Sequence, residues 1–360
     1  MNPGRRGYLD WLRGIAVLIM IEAHTIDSWT RVADKTRPLY VWGIVIGGFG
    51  APMFLLLAGI TLALAAGSRT RKGLAPSDVA ARAQRRGWQI FGLAFLFRLQ
   101  SWIVSGGSLS RVLLKVDILN IMGPAMVAAG VLWRLGRSDR GRALLLVTAT
   151  IATAMVTPLI RQWAFLGALP DPVEWYLRPS PGRTTFTLFP WVGFLLAGAA
   201  IGIWLDRIQT PDEERPVTGR LGLIGVGVAL AGYGASLLPP IYRETSFWTS
   251  SPTFFFLRLG ILVALLPVAY AWSRAWRGWS PLQEFGVASF FVYWIHVEMV
   301  YGVPSGAIHH KLSLEQWAVA WIAFTMFLFG LVRLKRRVTQ VFHASPRFWT
   351  KNRVLPRETG

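Results

Sequence analysis

The sequence has no cysteine and little acidic charge: among 360 residues there are 18 Asp and Glu against 38 Lys and Arg. The absence of cysteine excludes disulfides, thiolate metal sites and a cysteine nucleophile. The sequence also shows no Walker A loop, no haem or zinc motif and no repeat of fixed period. No long polar stretch predicts a separate soluble domain. We therefore expect no bound metal. We also expect a single domain over most of the chain.

Apolar residues fill the sequence instead, with 53% hydrophobic residues, 18 Trp and a mean hydropathy of +0.42. Stretches of about 18 to 25 apolar residues recur, and such stretches are typical of transmembrane helices. They predict ten spans, at residues 10–29, 40–66, 87–105, 115–135, 143–163, 187–206, 220–238, 254–272, 284–303 and 313–333. The predicted fold class is all-α, a polytopic membrane helix bundle. The first stretch is too long for a cleavable signal peptide, so it should stay as the first span.

The formal net charge of +20 is explained by membrane orientation. The loops predicted to face the cytoplasm hold 21 of the 38 basic residues, whereas the opposite loops hold 10. We therefore expect both termini in the cytoplasm, a transmembrane domain over 1–337 and a basic cytoplasmic tail over 338–360. The expected location is a cell membrane, the inner membrane of a bacterium. Membrane lipids are expected partners, and nucleic acid is not.

Three segments have sequence patterns that predict local structure. The stretch 77–89 predicts a helix with Ser77 as N-cap, and the basic residues around it could meet either a phosphate ligand or anionic lipid headgroups. The glycine-rich run GIVIGGFGAPMFLLLAGI, at 43–60, indicates either close helix packing or a helix broken near a cavity. The pattern GVGVALAG, at 225–232, follows no strand, so it indicates helix packing and not a dinucleotide site.

The first span carries ionisable residues on one face. Each such group costs about 2.5 to 3.5 kcal/mol within a membrane, so it persists where it pairs or lines a wet cavity. On a helix, Asp10, Arg13 and Asp27 all lie within about 60° of His24. Glu22 lies about 160° away, on the other side. Because Arg13 and His24 are about 16 Å apart along the axis, they cannot touch but can face one tunnel.

His24 is the candidate catalytic base, because the unperturbed pKa of histidine lies near neutrality. Asp27, three residues further on, is predicted to orient the ring and to stabilise its protonated form. The alternative is a structural histidine that is hydrogen-bonded to a neighbouring helix. We favour the catalytic interpretation because Asp27 and Arg13 share the face of His24.

Further ionisable residues lie in other predicted spans, namely Arg98, Asp117, Arg258, His296 and Glu298. The two arginines and the two carboxylates could pair among themselves, so a structural ion-pair network and the lining of a cavity are both open. For His296, an interface position near Tyr293 and Trp294 in an aromatic belt is an equal alternative.

Several segments, in order along the chain, resemble one family. YLDWLRGIAVLIMIEAH, at 8–24, looks like the first helix of the integral-membrane acyltransferases of the heparan-alpha-glucosaminide N-acetyltransferase type. It also resembles the acyltransferase-3 group, in which ten residues separate an arginine from a histidine, as between Arg13 and His24. The other similar segments are GAPMFLLLAGITLAL, LKVDILNIMGPA, TLFPWVGFLLAGAAIG and SFFVYWIHVEMVYG.

This resemblance implies transfer of an acyl group, commonly acetyl, from a cytoplasmic acyl-CoA such as acetyl-CoA. The acceptor it implies is a hydroxyl or amine of a sugar or glycolipid at the opposite face. His24 would deprotonate the acceptor or relay the acyl group, and Asp27 would orient it. Arg13 would hold the phosphates or pantetheine of the donor, while Arg98 and Asp117 would line the same cavity. The animal members carry an asparagine where His24 stands, so a glycosaminoglycan acceptor is not expected.

Two other classes of function are open from the sequence. A transporter or flippase could use the intramembrane charges as a substrate or proton path, although no inverted repeat is evident. A non-catalytic membrane subunit could keep an acyltransferase-like fold and bind partner proteins. The sequence also leaves open a homo-oligomer or another membrane-protein partner. Retention of Arg13, His24 and Asp27 favours the acyltransferase.

Overall fold

The computed structural model describes residues 6–106, 108–208, 210–276 and 278–344, and within these ranges the chain is a helix bundle without β-strands. The α-helices in chain order are α1 (Gly7–Trp29), α2 (Pro38–Gly47), α3 (Gly50–Arg71), α4 (Pro76–Ser105), α5 (Leu109–Leu113), α6 (Ile118–Leu135), α7 (Asp139–Gln162), α8 (Asp171–Leu177), α9 (Leu188–Asp206), α10 (Pro211–Ser236), α11 (Pro252–Ala275), α12 (Pro281–Val287), α13 (Ser289–Tyr301) and α14 (Leu314–Ala344). The predicted all-α polytopic class is confirmed.

Among the described residues, seven helical stretches are long and apolar enough to cross a membrane: α2 with α3, and then α6, α7, α9, α10, α11 and α14. The other three predicted spans fall on α1, α4 and the pair α12–α13. Ionisable residues dilute the apolar parts of α1 and α4, and the pair α12–α13 is interrupted at Ala288. The number of ten spans and the cytoplasmic termini stay predictions. The predicted tail boundary at 337/338 falls inside α14, and residues 345–360 lie outside the described part.

The bundle has two distinct ends. We call the end where α1 begins the inner end, because the basic loops predict that it faces the cytoplasm. There, Nη2 of Arg6 donates to the backbone oxygen of Leu205 at 2.8 Å, and Nε2 of Gln283 donates to that of Gly7 at 3.2 Å. At the outer end, the backbone N–H of Leu312 donates to the oxygen of Trp29 at 3.0 Å. These bonds hold α1 against α9, α12 and the start of α14.

Proline fixes where several helices begin. Proline lies in the first turn of α2, α4, α8, α10, α11 and α12, where its missing N–H costs no helical hydrogen bond. The prediction that Ser77 caps a helix is wrong, because α4 already begins at Pro76 and its first turn has no side-chain cap. The basic stretch that follows is therefore helical and continuous with the apolar half of α4.

Glycines allow four pairs of helices to approach closely. A Cβ on Gly59 of α3 would overlap the carbonyl of Leu195, and one on Gly198 of α9 would overlap that of Leu56. The same arrangement recurs at α1–α12, α4–α6 and α10–α11, through Gly14 and Gly286, Gly87 and Gly123, and Gly225 and Gly260. Packing is thus confirmed for the pattern at 225–232. In the run 43–60, Gly59 confirms close packing, and the helix is also interrupted at residues 48 and 49, although none of the cavities described below is lined by these two residues.

Gly198→Ala should lower the thermal unfolding temperature of the protein in detergent. The added methyl would overlap backbone of α3, and overpacking of this kind costs about 1–3 kcal/mol. Gly227→Ala is the matched control, because nothing lies within 4 Å of a Cβ added there. That variant should unfold at or above the wild-type temperature, since alanine is the better helix former. Equal unfolding temperatures for both variants would show that the contact of α3 with α9 is looser than in the structure.

Candidate active site

The predicted base, His24, lies in the outer half of α1 and contacts a histidine of α13. Its Nδ1 atom is 2.9 Å from Nε2 of His296, and the two rings are nearly parallel, with centroids 5.1 Å apart. His24 is partly exposed, whereas His296 is completely buried. Two intramembrane histidines, 272 residues apart in sequence, therefore form one pair.

The hydrogen bonds of this pair determine which ring nitrogens carry protons. Nδ1 of His296 is 2.8 Å from the backbone oxygen of Val292, and because a carbonyl only accepts, this Nδ1 donates. A neutral His296 then has an unprotonated Nε2, which accepts from Nδ1–H of His24. An unpaired imidazolium at this buried position would be costly, so the neutral form is favoured. The remaining nitrogen, Nε2 of His24, carries a lone pair and is free to take up a proton.

Asp27 has other partners than the ring of His24. Its Oδ2 atom accepts from the hydroxyl of Tyr301 at 3.3 Å, and its Oδ1 atom is 3.7 Å from Nζ of Lys35. The orienting bond predicted from Asp27 is thus made by His296 in this structure. The ring of Tyr301 stands edge-on to that of His24 with centroids 5.4 Å apart, so Asp27 reaches the histidine through Tyr301.

An ion pair lies next to the histidine pair. Nη2 of Arg98, on α4, is 2.8 Å from Oδ2 of Asp117, just before α6, and both side chains are largely buried. The hydroxyl of Tyr293 donates to the same Oδ2 at 3.4 Å, and the Tyr293 ring lies 6.0 Å from that of His296. Tyr293 therefore joins the ion pair and the histidines into one polar site near the outer end.

The segment that begins α6 fixes the carboxylate of Asp117. Asp117 is the N-cap residue: its Oδ1 accepts from the backbone N–H groups of Leu119 and Asn120, and its own N–H donates to Oδ1 of Asn120 at 3.0 Å. This capping box holds both side chains in place. Nδ2 of Asn120 donates in turn to the hydroxyl of Tyr176 at 3.1 Å. Burial raises the pKa of Tyr176, against the effect of that hydrogen bond, so its hydroxyl stays protonated.

The sequence suggested that two arginines and two carboxylates within the predicted spans pair with one another, and the structure shows part of this pairing. Arg98 and Asp117 pair, and Glu298 interacts with the charge of Arg98. Arg258 lies elsewhere, with its guanidinium 4.0 Å from the ring centroid of Phe254, and in the described part of the chain it forms no ion pair. One of the two arginines therefore belongs to this site and the other does not.

The other two ionisable residues that were predicted to share the face of His24, Asp10 and Arg13, lie nearer the inner end of α1. Nη1 of Arg13 is 2.9 Å from Oδ1 of Asp10, which is buried. Glu22 faces α2, as its angular position predicts, because a Cβ on Gly43 would lie 2.7 Å from its Oε1. On this face of α1, Asp10 and Arg13 therefore form an ion pair nearer the inner end, whereas His24 and Asp27 lie nearer the outer end and have separate partners.

A large basic cavity opens toward the inner end between α3, α4 and α6. We call it the inner cleft. Its volume is about 720 Å³, and it is lined by Arg69, Arg82, Arg85 and Arg86 together with one carboxylate, Asp78. Ile90, Met122 and Met126 line it further along the helices. The cleft thus combines a positively charged mouth with an apolar interior.

The apolar part of the inner cleft points toward the polar site. Along α4, Ile90 precedes Arg98 by eight residues, which is about 12 Å of helix. Along α6, Met122 follows Asp117 by five residues, which is about 7.5 Å. A long, thin molecule bound in the cleft could therefore bring one end close to Arg98 and Asp117.

Sequence reasoning did not name the arginines of the inner cleft as site residues, because it could not choose between a phosphate ligand and anionic lipid headgroups for the basic residues around 77–89. Arg82, Arg85, Arg86 and Gln89 recur at the spacing of one helix face, and that signal could have grouped them. Arg13, which was predicted to hold the donor, does not line the cleft.

The described part of the chain is thus a polytopic helix bundle with a histidine pair, a buried ion pair and a basic cleft. Residues 5–233 match the family described as heparan-alpha-glucosaminide N-acetyltransferase, catalytic. The match covers more than half of the chain, so the chain belongs to this family, and membrane acyltransferase activity in general follows from it. A search among curated proteins finds no match. The matched part holds His24, Arg98, Asp117 and the inner cleft, whereas His296 lies beyond it.

Proposed function

We propose that this protein transfers an acyl group, in the first instance acetyl, from a cytoplasmic acyl-CoA to a hydroxyl or amine of a sugar or glycolipid at the outer face. The observation that carries this proposal is the hydrogen-bonded row of Val292, His296 and His24. It leaves Nε2 of His24 as a proton acceptor within the helix bundle. The location that best fits is the inner membrane of a bacterium.

The row of hydrogen bonds suits general base catalysis. Nε2 of His24 removes the proton of the acceptor hydroxyl or amine while the acceptor atom attacks the thioester carbon. The resulting imidazolium keeps its Nδ1–H bonded to His296, which stabilises the positive charge. When the tetrahedral intermediate collapses, the carbon–sulfur bond breaks and the proton passes from His24 to the sulfur. The products are the acylated acceptor and free CoA.

Arg98 is placed to stabilise negative charge on the thioester oxygen. One side of its guanidinium is held by Asp117, while its Nε–H is buried and has no hydrogen-bond partner in the described part of the structure. A fixed donor in a site of low polarity is the arrangement that stabilises an oxyanion. Asp117 and Tyr293 then act as positioning residues that hold Arg98 beside the histidine pair.

The inner cleft fits the donor. An acyl-CoA carries several phosphate charges at one end and the thioester at the end of a thin arm, and the cleft has arginines at its mouth and apolar residues inside. Bound in this way, the donor would enter from the cytoplasm and direct its thioester toward Arg98. Arg13 stays a candidate for contact with the arm, because it lies on α1 between the inner end and His24.

The proposal is tested by the release of free CoA. We would reconstitute the protein in vesicles of total membrane lipid, add acetyl-CoA and glucosamine, and measure thiol with a thiol reagent. Because the chain has no cysteine, all thiol that appears is product. His296→Leu should lower kcat about 100-fold or more, since His24 loses the partner that orients it. His296→Gln keeps an acceptor atom at the reach of Nε2 and should retain more activity, and neither change should alter KM for acetyl-CoA.

Two results would contradict this proposal. An unchanged kcat in His296→Leu would show that the histidine pair is not used. Vesicles that bind acetyl-CoA with saturation but release no thiol in the presence of total lipid and sugar would favour the non-catalytic subunit.

A further inference from the structure

A second cavity at the outer end is not explained by acyl transfer. We call it the outer pocket. It has a volume of about 330 Å³ and lies where the end of α7 meets the starts of α9 and α11. Its principal polar and aromatic lining residues are Arg161, Arg258, Thr187, Trp191, Trp248 and Ser251. None of these residues belongs to the histidine pair, the ion pair or the inner cleft.

The outer pocket contains two positive charges without counter-charges. Among the described residues that line it there is no carboxylate, and neither arginine forms an ion pair in the described part of the chain. The Nε–H groups of Arg161 and Arg258 are buried and have no hydrogen-bond partner there. Positive charge that is partly buried and unpaired is costly, and an anionic ligand would offset that cost. Two partly buried guanidinium groups without a counter-charge therefore favour an anionic ligand in the pocket.

The existing contacts of the two arginines leave room for that anion. Nη2 of Arg161 is 3.5 Å from Oγ1 of Thr187, a long hydrogen bond. Arg258 stacks on Phe254, which binds the face of the guanidinium and leaves its edge free to donate. Two N–H groups on the edge of a guanidinium can donate together to two oxygens of a phosphate or carboxylate group. An oxyanion between the two arginines would satisfy both.

The remainder of the lining suits a sugar. Hydroxyl groups of Thr185 and Thr249 provide donors and acceptors of the same kind as sugar hydroxyls. The rings of Trp191 and Trp248 provide flat apolar surfaces against which the C–H face of a sugar ring can pack. A free anion such as inorganic phosphate would use the arginines but leave the tryptophans uncovered.

We infer that the outer pocket binds a sugar that carries a phosphate or carboxylate group. The charged group lies between Arg161 and Arg258, and the ring packs on Trp191 and Trp248. The ligand reaches the pocket from the outer face. This recognition does not depend on acyl transfer, so it can hold whether or not the protein releases CoA.

The test is isothermal titration of the purified full-length chain in detergent with four probes: glucose 6-phosphate, glucuronate, glucose and inorganic phosphate. At least one of the two acidic sugars should bind with saturation, more tightly than inorganic phosphate, whereas glucose should not bind. Arg161→Gln and Arg258→Gln should each weaken binding at least tenfold. Arg161→Lys and Arg258→Lys keep the charge and should be weakened less. Arg243→Gln is the matched control, because Arg243 is an exposed arginine of an outer segment that does not line the pocket.

A second arm distinguishes a sugar from a lipid headgroup. The unfolding temperature is measured in nanodiscs of neutral lipid and of phosphatidylglycerol, with and without the acidic sugar. Stabilisation by the sugar in neutral lipid, lost in both glutamine variants, would support the inference. Three results would overturn it: stabilisation by phosphatidylglycerol alone, equal binding of glucose, or affinity unchanged in both glutamine variants. An unfolding temperature without ligand that equals that of the wild type shows that a variant is folded, and failure of CoA release would leave this inference untouched.

Discussion

Replacing His24 with alanine should abolish CoA release from acetyl-CoA while the protein still folds and binds its donor. The reason is that His24 alone among the histidine pair presents an unprotonated nitrogen at a partly exposed position, whereas His296 is buried and uses both nitrogens. Loss of a general base lowers turnover about 100- to 10 000-fold. The expected effect is therefore the largest of any single substitution in this chain.

The loss should appear in kcat and not in the affinity for the donor. The inner cleft, where we propose that acyl-CoA binds, does not include α1, so the Kd for acetyl-CoA should stay within about twofold of the wild-type value. The unfolding temperature should fall moderately, because Nε2 of the buried His296 loses its hydrogen-bond donor, but the protein should stay folded. These two measurements separate a chemical defect from a folding defect.

His310→Asn is the matched control for His24→Ala. His310 lies in an exposed outer segment with a φ of 54°, a left-handed conformation that asparagine tolerates. Turnover should be unchanged in this variant. Wild-type turnover in His24→Ala would remove His24 from the mechanism, and the proton acceptor would then have to be sought among Glu298 and Asp27.

The helices of the bundle could be predicted from sequence because each depends on local information. Long apolar stretches fix the spans, and helical periodicity correctly placed Glu22 on the other side of α1 from His24. The pairing of Arg98 with Asp117 could be anticipated from charge alone, because an unpaired ion in a membrane is costly.

The partner of His24 could not be predicted in the same way. Asp27 was the nearest residue of suitable chemistry along the helix, and local spacing therefore favoured it. The actual partner, His296, comes from a helix near the other end of the sequence, and only the packing of α1 against α13 brings the two together. Tyr293 and Tyr301 join the site for the same reason.

The inner cleft shows a second limit of sequence reasoning. Its arginines were visible as charge, but an excess of basic residues on the cytoplasmic side is common to membrane proteins and carries no information about a ligand. What makes them a site is the gap between α3, α4 and α6 that they surround. The width of this gap depends on how the three helices pack against one another. The sequence of a single helix therefore does not predict it.

Removing two arginines of the inner cleft should weaken donor binding and leave the chemical step intact. In Arg85→Ala/Arg86→Ala the Kd and KM for acetyl-CoA should rise about tenfold or more, which corresponds to about 1.4 kcal/mol. Both side chains are exposed, so the effect should shrink as salt is raised. The value of kcat at saturating donor should be unchanged, because neither residue is near His24 or Arg98.

The double variant Arg137→Ala/Arg140→Ala is the matched control. It also removes two exposed positive charges at the inner end, but from the segment around the start of α7, which does not line the cleft. A general loss of positive charge would weaken donor binding in both double variants alike. If the arginines of the inner cleft bind the donor directly, the affinity for acetyl-CoA should fall in Arg85→Ala/Arg86→Ala and stay unchanged in the control.

A shortened donor without phosphate groups also tests whether the arginines of the inner cleft bind the phosphates of acetyl-CoA. S-acetyl-pantetheine has the thioester and the thin arm of acetyl-CoA but none of its phosphate groups. If the arginines hold phosphates, the wild type and Arg85→Ala/Arg86→Ala should use this donor equally well, and both should use it less well than the wild type uses acetyl-CoA. A defect of the double variant that persists with S-acetyl-pantetheine would mean that these residues shape the cleft and do not bind the phosphates. The donor would then have to enter elsewhere, with Arg13 as the next arginine to replace.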